Sequence, residues 1–235
     1  MRVFLHLQYD GSDFYGLQIQ PDKPTILGEL ERILAVLGIK QRVVASGRTD
    51  KGVHATMQIC HIDLPPFWSD TLKLQTVLNT MLPKAIHVKK IYKVPPHLHA
   101  RYSVKKRTYR YLFRTTPPSV FESRYISYLP TAEFTTIKQN IQLFEGRWDF
   151  SYFIKTGTST SSTIRTIYKA FAYNYKGVMV LHFEAEGFLR TQIRFMVAAL
   201  VTLKKEQLQN MLTLREKYNI KPAPPNGLFL AKIKY

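Results

Sequence analysis

At 235 residues the chain has room for one large domain or two small ones, and 45% apolar residues are enough for a core, which excludes a disordered chain. No run of about 18 apolar residues occurs, so no membrane-spanning helix is expected. Lysine and arginine number 34 against 16 acids, a net charge of +18 that a merely soluble surface does not need and a polyanionic partner does. An anionic membrane is the weaker rival for that charge, because no long one-sided basic helix stands out.

In chain order, Val3 to Tyr9 alternates as a strand, and residues 1–7 lack the apolar core and small-residue cleavage site of a signal peptide. Thr25 can cap a helix running to about Leu37, with Ile26, Leu30, Ile33 and Leu37 on one face, and Gly38 ends it. Strands follow near Gln41–Ala45 and Met57–Asp63. A helix from about Asp70 to Met81 carries Leu72, Val77, Leu78 and Met81, and Leu82-Pro83 stops it. Ile86–Tyr92 reads as a strand, completing β-α-β-β-α-β, the ferredoxin-like unit.

The second half repeats that order without repeating the sequence. A strand near Arg107–Arg114 leads to a helix over Ala132–Phe144. Strands at Ile164–Tyr175 and Val178–Glu186 flank the Lys176-Gly177 turn. Helices near Leu189–Leu203 and Lys205–Lys217 and a strand at Leu228–Lys234 complete it. The fold class is therefore α+β, two ferredoxin-like (RNP-like) subdomains with mainly antiparallel sheets flanking a basic cleft. The boundary falls at 1–102 and 103–235. Residues 156–163, rich in threonine and serine, read as a polar loop near RNA or as a plain hairpin connection.

The basic residues cluster at Lys89-Lys90, over Arg101–Tyr111 and along Arg190–Lys205. The middle cluster interleaves cations with tyrosines, a mixture that suits RNA, since phosphates meet the cations while bases stack on rings. The same tyrosines also suit one face of a packed strand. Cys60 alone permits no internal disulfide and points to a reducing cytoplasm. His97 and His99 lack a second ligand pair, no phosphate loop is present, and Asp10, Asp50, Asp63 and Asp149 carry no metal spacing, so no metal is expected.

The segment Ala45-Ser46-Gly47-Arg48-Thr49-Asp50-Lys51-Gly52-Val53-His54-Ala55 sits between two apolar alternating runs, where a scaffold can hold a reactive side chain. On local chemistry Asp50 serves equally well as a turn residue. Gly47-Arg48-Thr49-Asp50-x-Gly52-Val53-His54-Ala55 resembles the signature loop of the TruA-type tRNA pseudouridine synthases. Tyr9-Asp10-Gly11-Ser12-x-Phe14-x-Gly16-x-Gln18 resembles the N-terminal motif of that family. His99-Ala100-Arg101-Tyr102-Ser103, Tyr109-x-Tyr111, Thr163-x-Arg165-x-Ile167, Phe188-Leu189-x-x-x-x-Arg194 and Ala223-Pro224-x-x-Gly227-Leu228 follow in the family's order. Lys51 departs from it, replacing a frequent small residue, and Leu17 stands where a tryptophan is common.

The resemblance implies an isomerase that converts uridine to pseudouridine at positions 38, 39 and 40 of the tRNA anticodon stem-loop, without cofactor or metal, as a cytoplasmic homodimer. It implies Asp50 as nucleophile or base, Arg194 as the cation paired with it, and Tyr109 stacked on the target base. It also implies Arg48 entering the stem as the base flips out, an event costing a few kcal/mol. His54, Gln58, Arg101 and Arg107 are the further substrate-binding candidates, and tRNA is the partner. From spacing alone, Arg194 also reads as a surface arginine laying its stem along an apolar helix face, and Tyr109 as a core residue. A non-catalytic RNA-binding protein on the same fold is the alternative from another class.

Overall fold

The structure, a computed structural model, describes residues 1–157 and 160–235. Residues 158 and 159, inside the polar stretch read as a loop, lie outside the described residues. The chain packs as two compact units, Met1–Lys105 with Leu230–Tyr235, and Lys106–Phe229. Both mix helices with mainly antiparallel strands.

The first unit contains β1 (Arg2–Tyr9), α1 (Ile26–Val36), β2 (Val44–Ala45), β3 (His54–Asp63), α2 (Thr71–Met81) and β4 (Ile86–Lys93). Antiparallel pairing places β1 between β4 and β3, and β2 pairs with β3. Helix α1 forms as its signals require. Thr25 Oγ1 accepts from the Gly28 amide at 3.2 Å, and Ile26, Leu27, Leu30, Ile33 and Leu34 make the buried stripe. Gly38 then turns left-handed at φ 78°, and the Ile39 amide closes back on Leu34 O at 2.8 Å.

Helix α2 differs in its buried face. Leu74 and Leu78 are the core residues, whereas Leu72 is 74% exposed. Strand β2 is two residues long, not five, because the Val43 amide is taken by Glu31 Oε1 at 2.8 Å rather than by a ladder. Strand β3 begins three residues earlier than the alternation suggested, at the buried His54.

The second unit contains β5 (Lys106–Arg114), β6 (Ser127–Tyr128), α3 (Phe134–Asn140), β7 (Gly146–Asp149), β8 (Ile164–Tyr175), β9 (Val178–Ala185), α4 (Gln192–Thr202) and α5 (Lys205–Leu212). Its sheet order is β5-β9-β8-β7, with the short β6 parallel to β5. Lys176 and Gly177 both adopt positive φ, the conformation a two-residue hairpin turn demands. Phe144, Phe150, Phe153 and Phe183 make the buried aromatic centre.

Helix α3 is shorter than expected; Ile141–Phe144 tightens into a 3-10 turn before Gly146 reverses the chain at φ 102°. Helix α4 starts three residues late because Thr191 is left-handed at φ 65°. Helix α5 stops at Leu212, just before Leu214 turns left-handed at φ 58°. The last strand, β10 (Leu228–Lys234), begins in the second unit, and its residues from Leu230 onward pack with the first. There the Lys105 amide donates to Lys234 O at 2.8 Å, and the Tyr235 hydroxyl donates to Ala100 O at 2.9 Å.

Candidate active site

The loop between β2 and β3 is built from its two ends inward. At the entry, Ser46 is buried and donates through Oγ to Gln58 Oε1 at 2.5 Å, while Gln58 Nε2 donates to Gly47 O at 2.9 Å. Gln58 is fully buried, so both ends of its amide go to holding the loop. At the exit, the Val53 amide donates to Asp50 O at 3.1 Å, closing a turn whose Gly52 sits at φ 75°.

Between these ends the segment after β1 presses on the loop backbone. The Leu17 amide donates to Thr49 O at 3.1 Å, and the Tyr9 hydroxyl meets the buried Thr49 Oγ1 at 2.8 Å. Two glycines allow this approach. A Cβ at Gly11 would lie 2.1 Å from Val53 O, and one at Gly16, already at φ 95°, would lie 2.7 Å from Thr49 O. Asp50 is thus fixed through its own main chain while its side chain stays half-buried. Arg48 and Lys51, on either side of it, are exposed.

His54 is 1% exposed. Its Nδ1 lies 3.1 Å from the Gly11 amide, from which an unprotonated ring accepts, and 3.1 Å from Asp10 Oδ1, to which a protonated ring donates. Asp10 Oδ1 also accepts from the Ser12 amide at 2.9 Å and the Ser12 hydroxyl at 2.6 Å. His54 therefore ties the loop exit to the glycine segment. Arg48 and Asp50 thus stand on the loop, and His54 and Gln58 on β3 hold its two ends.

Arg101 sits elsewhere in the first unit, on a turn before β5. There the Arg101 and Tyr102 amides donate to His99 Nδ1 at 3.1 and 3.2 Å, and Tyr102 stacks on the His99 ring at 4.4 Å. The Ala100 amide donates to His61 Nδ1 at 3.1 Å. Burial, then the charges of Arg2 and His99, bring His61 down to about 4. Burial also lowers His99, helped by Arg2 and Arg101. Both rings are therefore neutral acceptors at pH 7.

In the second unit, Tyr109 on β5 is 7% exposed and meets Phe188 edge-on at 5.3 Å. Two residues before it, Arg107 Nη1 donates to Glu186 O at 2.6 Å. Arg107 and Arg165 converge on Gly187, their nitrogens lying 3.8 and 3.9 Å from the position a Cβ there would occupy. Arg165 Nη1 donates to Ser162 O and Ile164 O at 3.0 and 2.5 Å.

Arg194 stands in the first turn of α4, where the helix dipole disfavours a cation. A local partner offsets this: its Nε donates to Ala223 O at 2.6 Å, and the Ala223 amide returns a bond to Arg194 O at 3.0 Å. The buried Gln192 accepts from the Leu189 amide at 2.7 Å through Oε1, setting the chain's entry into the helix. Residues 223–228 are held further by Tyr111, whose hydroxyl reaches Pro224 O at 3.0 Å and Ser127 Oγ at 2.9 Å. Burial pushes the Tyr111 phenol well up, which marks a structural hydroxyl.

The sequence reading placed the loop residues but missed the packing of Gly16 against the main chain of Thr49, Asp50 and Lys51, the place of Tyr15 beside Lys51, and the convergence of Arg165 on Gly187. Thr163-x-Arg165-x-Ile167 was the available signal for Arg165. Nothing in the local pattern of Tyr15 marks it. Among the described residues, no group of three or more His, Cys, Asp or Glu is placed to hold a metal ion.

A family model described as tRNA pseudouridine synthase matches residues 6–103 and 141–235. The chain belongs to the tRNA pseudouridine synthase family. This is a family of isomerases. The matched segments contain Arg48, Asp50, His54, Gln58, Arg101 and Arg194; Arg107 and Tyr109 fall in the span between them. The tRNA pseudouridine synthase A of Wolinella succinogenes is 37% identical over 234 residues, 97% of this chain and 92% of that protein. The protein of the same name from Campylobacter jejuni is 35% identical over 240 residues, covering both chains in full. A chain in the crystal structure of a Cbf5-Nop10-Gar1 complex is similar with a TM-score of 0.40 at 12% identity, covering 97% of this chain and 48% of that one.

Proposed function

We propose that this chain isomerises uridine to pseudouridine at positions 38, 39 and 40 of the tRNA anticodon stem-loop, with Asp50 as the nucleophile or base that opens the glycosidic bond and without a cofactor. One observation carries the reading: the main chain around Asp50 is clamped at Thr49 and Val53 by the Gly11–Leu17 segment, while its carboxylate remains half-buried. A turn residue needs no such clamp; a reacting carboxylate needs fixed geometry. The isomerisation breaks the bond from C1′ to N1, turns the base, joins C1′ to C5 and releases the C5 proton. It consumes no electrons and no group donor.

Several neighbouring target positions require recognition of RNA shape rather than base sequence, which a net charge of +18 serves through phosphates. Tyr109 stacks on the target base, Arg194 supplies the positive charge the reaction needs, and Arg48 fills the stem when the base leaves it. Arg101 and Arg107 contact phosphates, and His54 and Gln58 hold the loop. The two halves, expected at 1–102 and 103–235, are each of the ferredoxin-like type, as the element order β-α-β-β-α-β in the first suggests, with residues 103–105 and 230–235 packing with the first rather than the second. The chain acts as a homodimer in the cytoplasm, where the buried Cys60 thiol stays reduced; light scattering would then give twice 27.3 kDa.

The test is tritium release from tRNA carrying 5-tritiated uridine, with wild type beside Asp50→Asn and both checked for folding and tRNA binding. Release by the wild type alone, unaffected by EDTA, supports the reading, and mapping the modified positions completes it. Tight tRNA binding with no release from either protein would favour a non-catalytic RNA-binding role.

A further inference from the structure

Beside the Asp50 loop, two lysines share one aromatic ring. The Lys51 ammonium stands 3.9 Å from the centroid of Tyr15, and the Lys23 ammonium 5.0 Å from the same centroid. Tyr15 is 37% exposed, and both lysines are exposed. The ring is placed by its main chain. The Tyr15 amide donates to Pro24 O at 2.9 Å, its carbonyl accepts from Gln20 Nε2 at 2.6 Å, and the next residue, Gly16, lies against the backbone of Thr49, Asp50 and Lys51.

A ring face attracts one ammonium readily. Bringing a second to the same ring sets two like charges within a screening length of each other, which opposes the arrangement. Among the described residues neither lysine pairs with a carboxylate. The cluster is therefore a concentration of positive charge that an anion completes. It belongs to the segment that clamps Asp50, and Lys51 is the next residue in the chain. Ammonium groups suit a phosphate as point charges with freely turning donors.

We propose that Lys51, Lys23 and Tyr15 form a seat for a backbone phosphate of the RNA strand, next to the nucleotide that reacts at Asp50. The ring keeps both ammonium groups beside it, and the phosphate is shared between them. They are positioning residues and take no part in bond breaking. The inference rests on Asp50 being the reacting acid.

The experiment measures tRNA binding by fluorescence anisotropy from 50 to 300 mM KCl, together with KM and kcat from tritium release. The proteins are wild type, Lys51→Ala, Lys23→Ala, the double alanine variant, Lys51→Arg and Tyr15→Leu. Each lysine removed is expected to weaken binding about fivefold at low salt and to reduce the slope of log affinity against log salt by about 0.7 to 0.9. KM rises accordingly and kcat stays within about threefold. Lys51→Arg restores binding, and Tyr15→Leu gives part of the loss. Wild-type affinity and slope in the double variant would overturn the proposal, even if its melting temperature fell, since the lysines would then only tie the loop. Were the wild type to bind tRNA without turnover, the Asp50 reading would fail while the salt slopes would still decide the phosphate seat.

Discussion

Replacing Gly16 by alanine tests whether the clamp on Asp50 matters to the chemistry. The new methyl would lie 2.7 Å from Thr49 O, 3.2 Å from the carbonyl carbon of Asp50 and 3.3 Å from the Lys51 amide nitrogen. The first contact is about 0.3 Å inside the 3.0 Å that such atoms keep, and all three neighbours are main chain, so the loop itself must move. The φ of 95° adds about 1 to 2 kcal/mol of conformational strain for a non-glycine residue. With about 1 kcal/mol for the forced shift, the cost is roughly 2 to 3 kcal/mol, a fall of about 5 to 10 °C in melting temperature for a chain of this size. Displacing a reacting group by about 1 Å can cost 100-fold in rate, so a shift of a few tenths is expected to lower kcat about tenfold. Gly38→Ala is the control: it carries similar strain at φ 78° but meets only the Phe67 ring at 3.3 Å. It should lower the melting temperature and leave turnover at the wild-type level. Scanning calorimetry and single-turnover tritium release read the two effects separately. Wild-type kcat in folded Gly16→Ala would show that the loop position is not what sets the rate.

Arg194→Ala should abolish turnover while the protein still folds, with about 1 to 2 kcal/mol lost from the bond to Ala223 O; near-normal turnover would refute its role. Tyr109→Phe should keep tRNA affinity and change the rate, whereas a collapse of binding alone would make the ring an affinity device. His61 has a folded pKa of about 4 against the usual 6.5, so the unfolded chain takes up a proton first as pH falls. Stability from this group is full above pH 6.5 and is lost toward pH 4, by up to about 3 kcal/mol. Urea denaturation at pH 5 and 7 should show a flatter pH dependence for His61→Gln, and an unchanged one would disprove this origin. Tyr111→Phe should cost about 1 to 3 kcal/mol in the same assay, by stripping Pro224 O and Ser127 of a buried partner.

What could be read from sequence was what neighbours in the chain decide. Thr25 and Gly38 bound α1 because a cap oxygen and a left-handed glycine act within one turn. The strands Ile164–Tyr175 and Leu228–Lys234 follow from side-chain alternation. Local pattern fails where distant groups intervene. Glu31 takes the Val43 amide and shortens β2, and Thr191 adopts a left-handed conformation that no propensity favours. The short β7 carries too few residues to show a period. At the candidate site, the Asp50 motif was legible as a motif, but the reason for its glycines was not. Gly11 and Gly16 are small because residues far along the chain, Val53 and Thr49 to Lys51, press against them. Tyr15 gained its place beside Lys51 through that same long-range contact.

The packing of Leu230–Tyr235 with the first unit has a consequence for synthesis. Phe4 meets Tyr235 at 4.9 Å, so β1 is covered by a residue translated long after it. The half that carries Asp50 therefore waits, with that apolar surface open, until the other half has been made. A nascent chain cannot complete this half before residues 230–235 have been made. Trimming or tagging at residues 230–235 should thus injure the half that lies farthest from them in sequence.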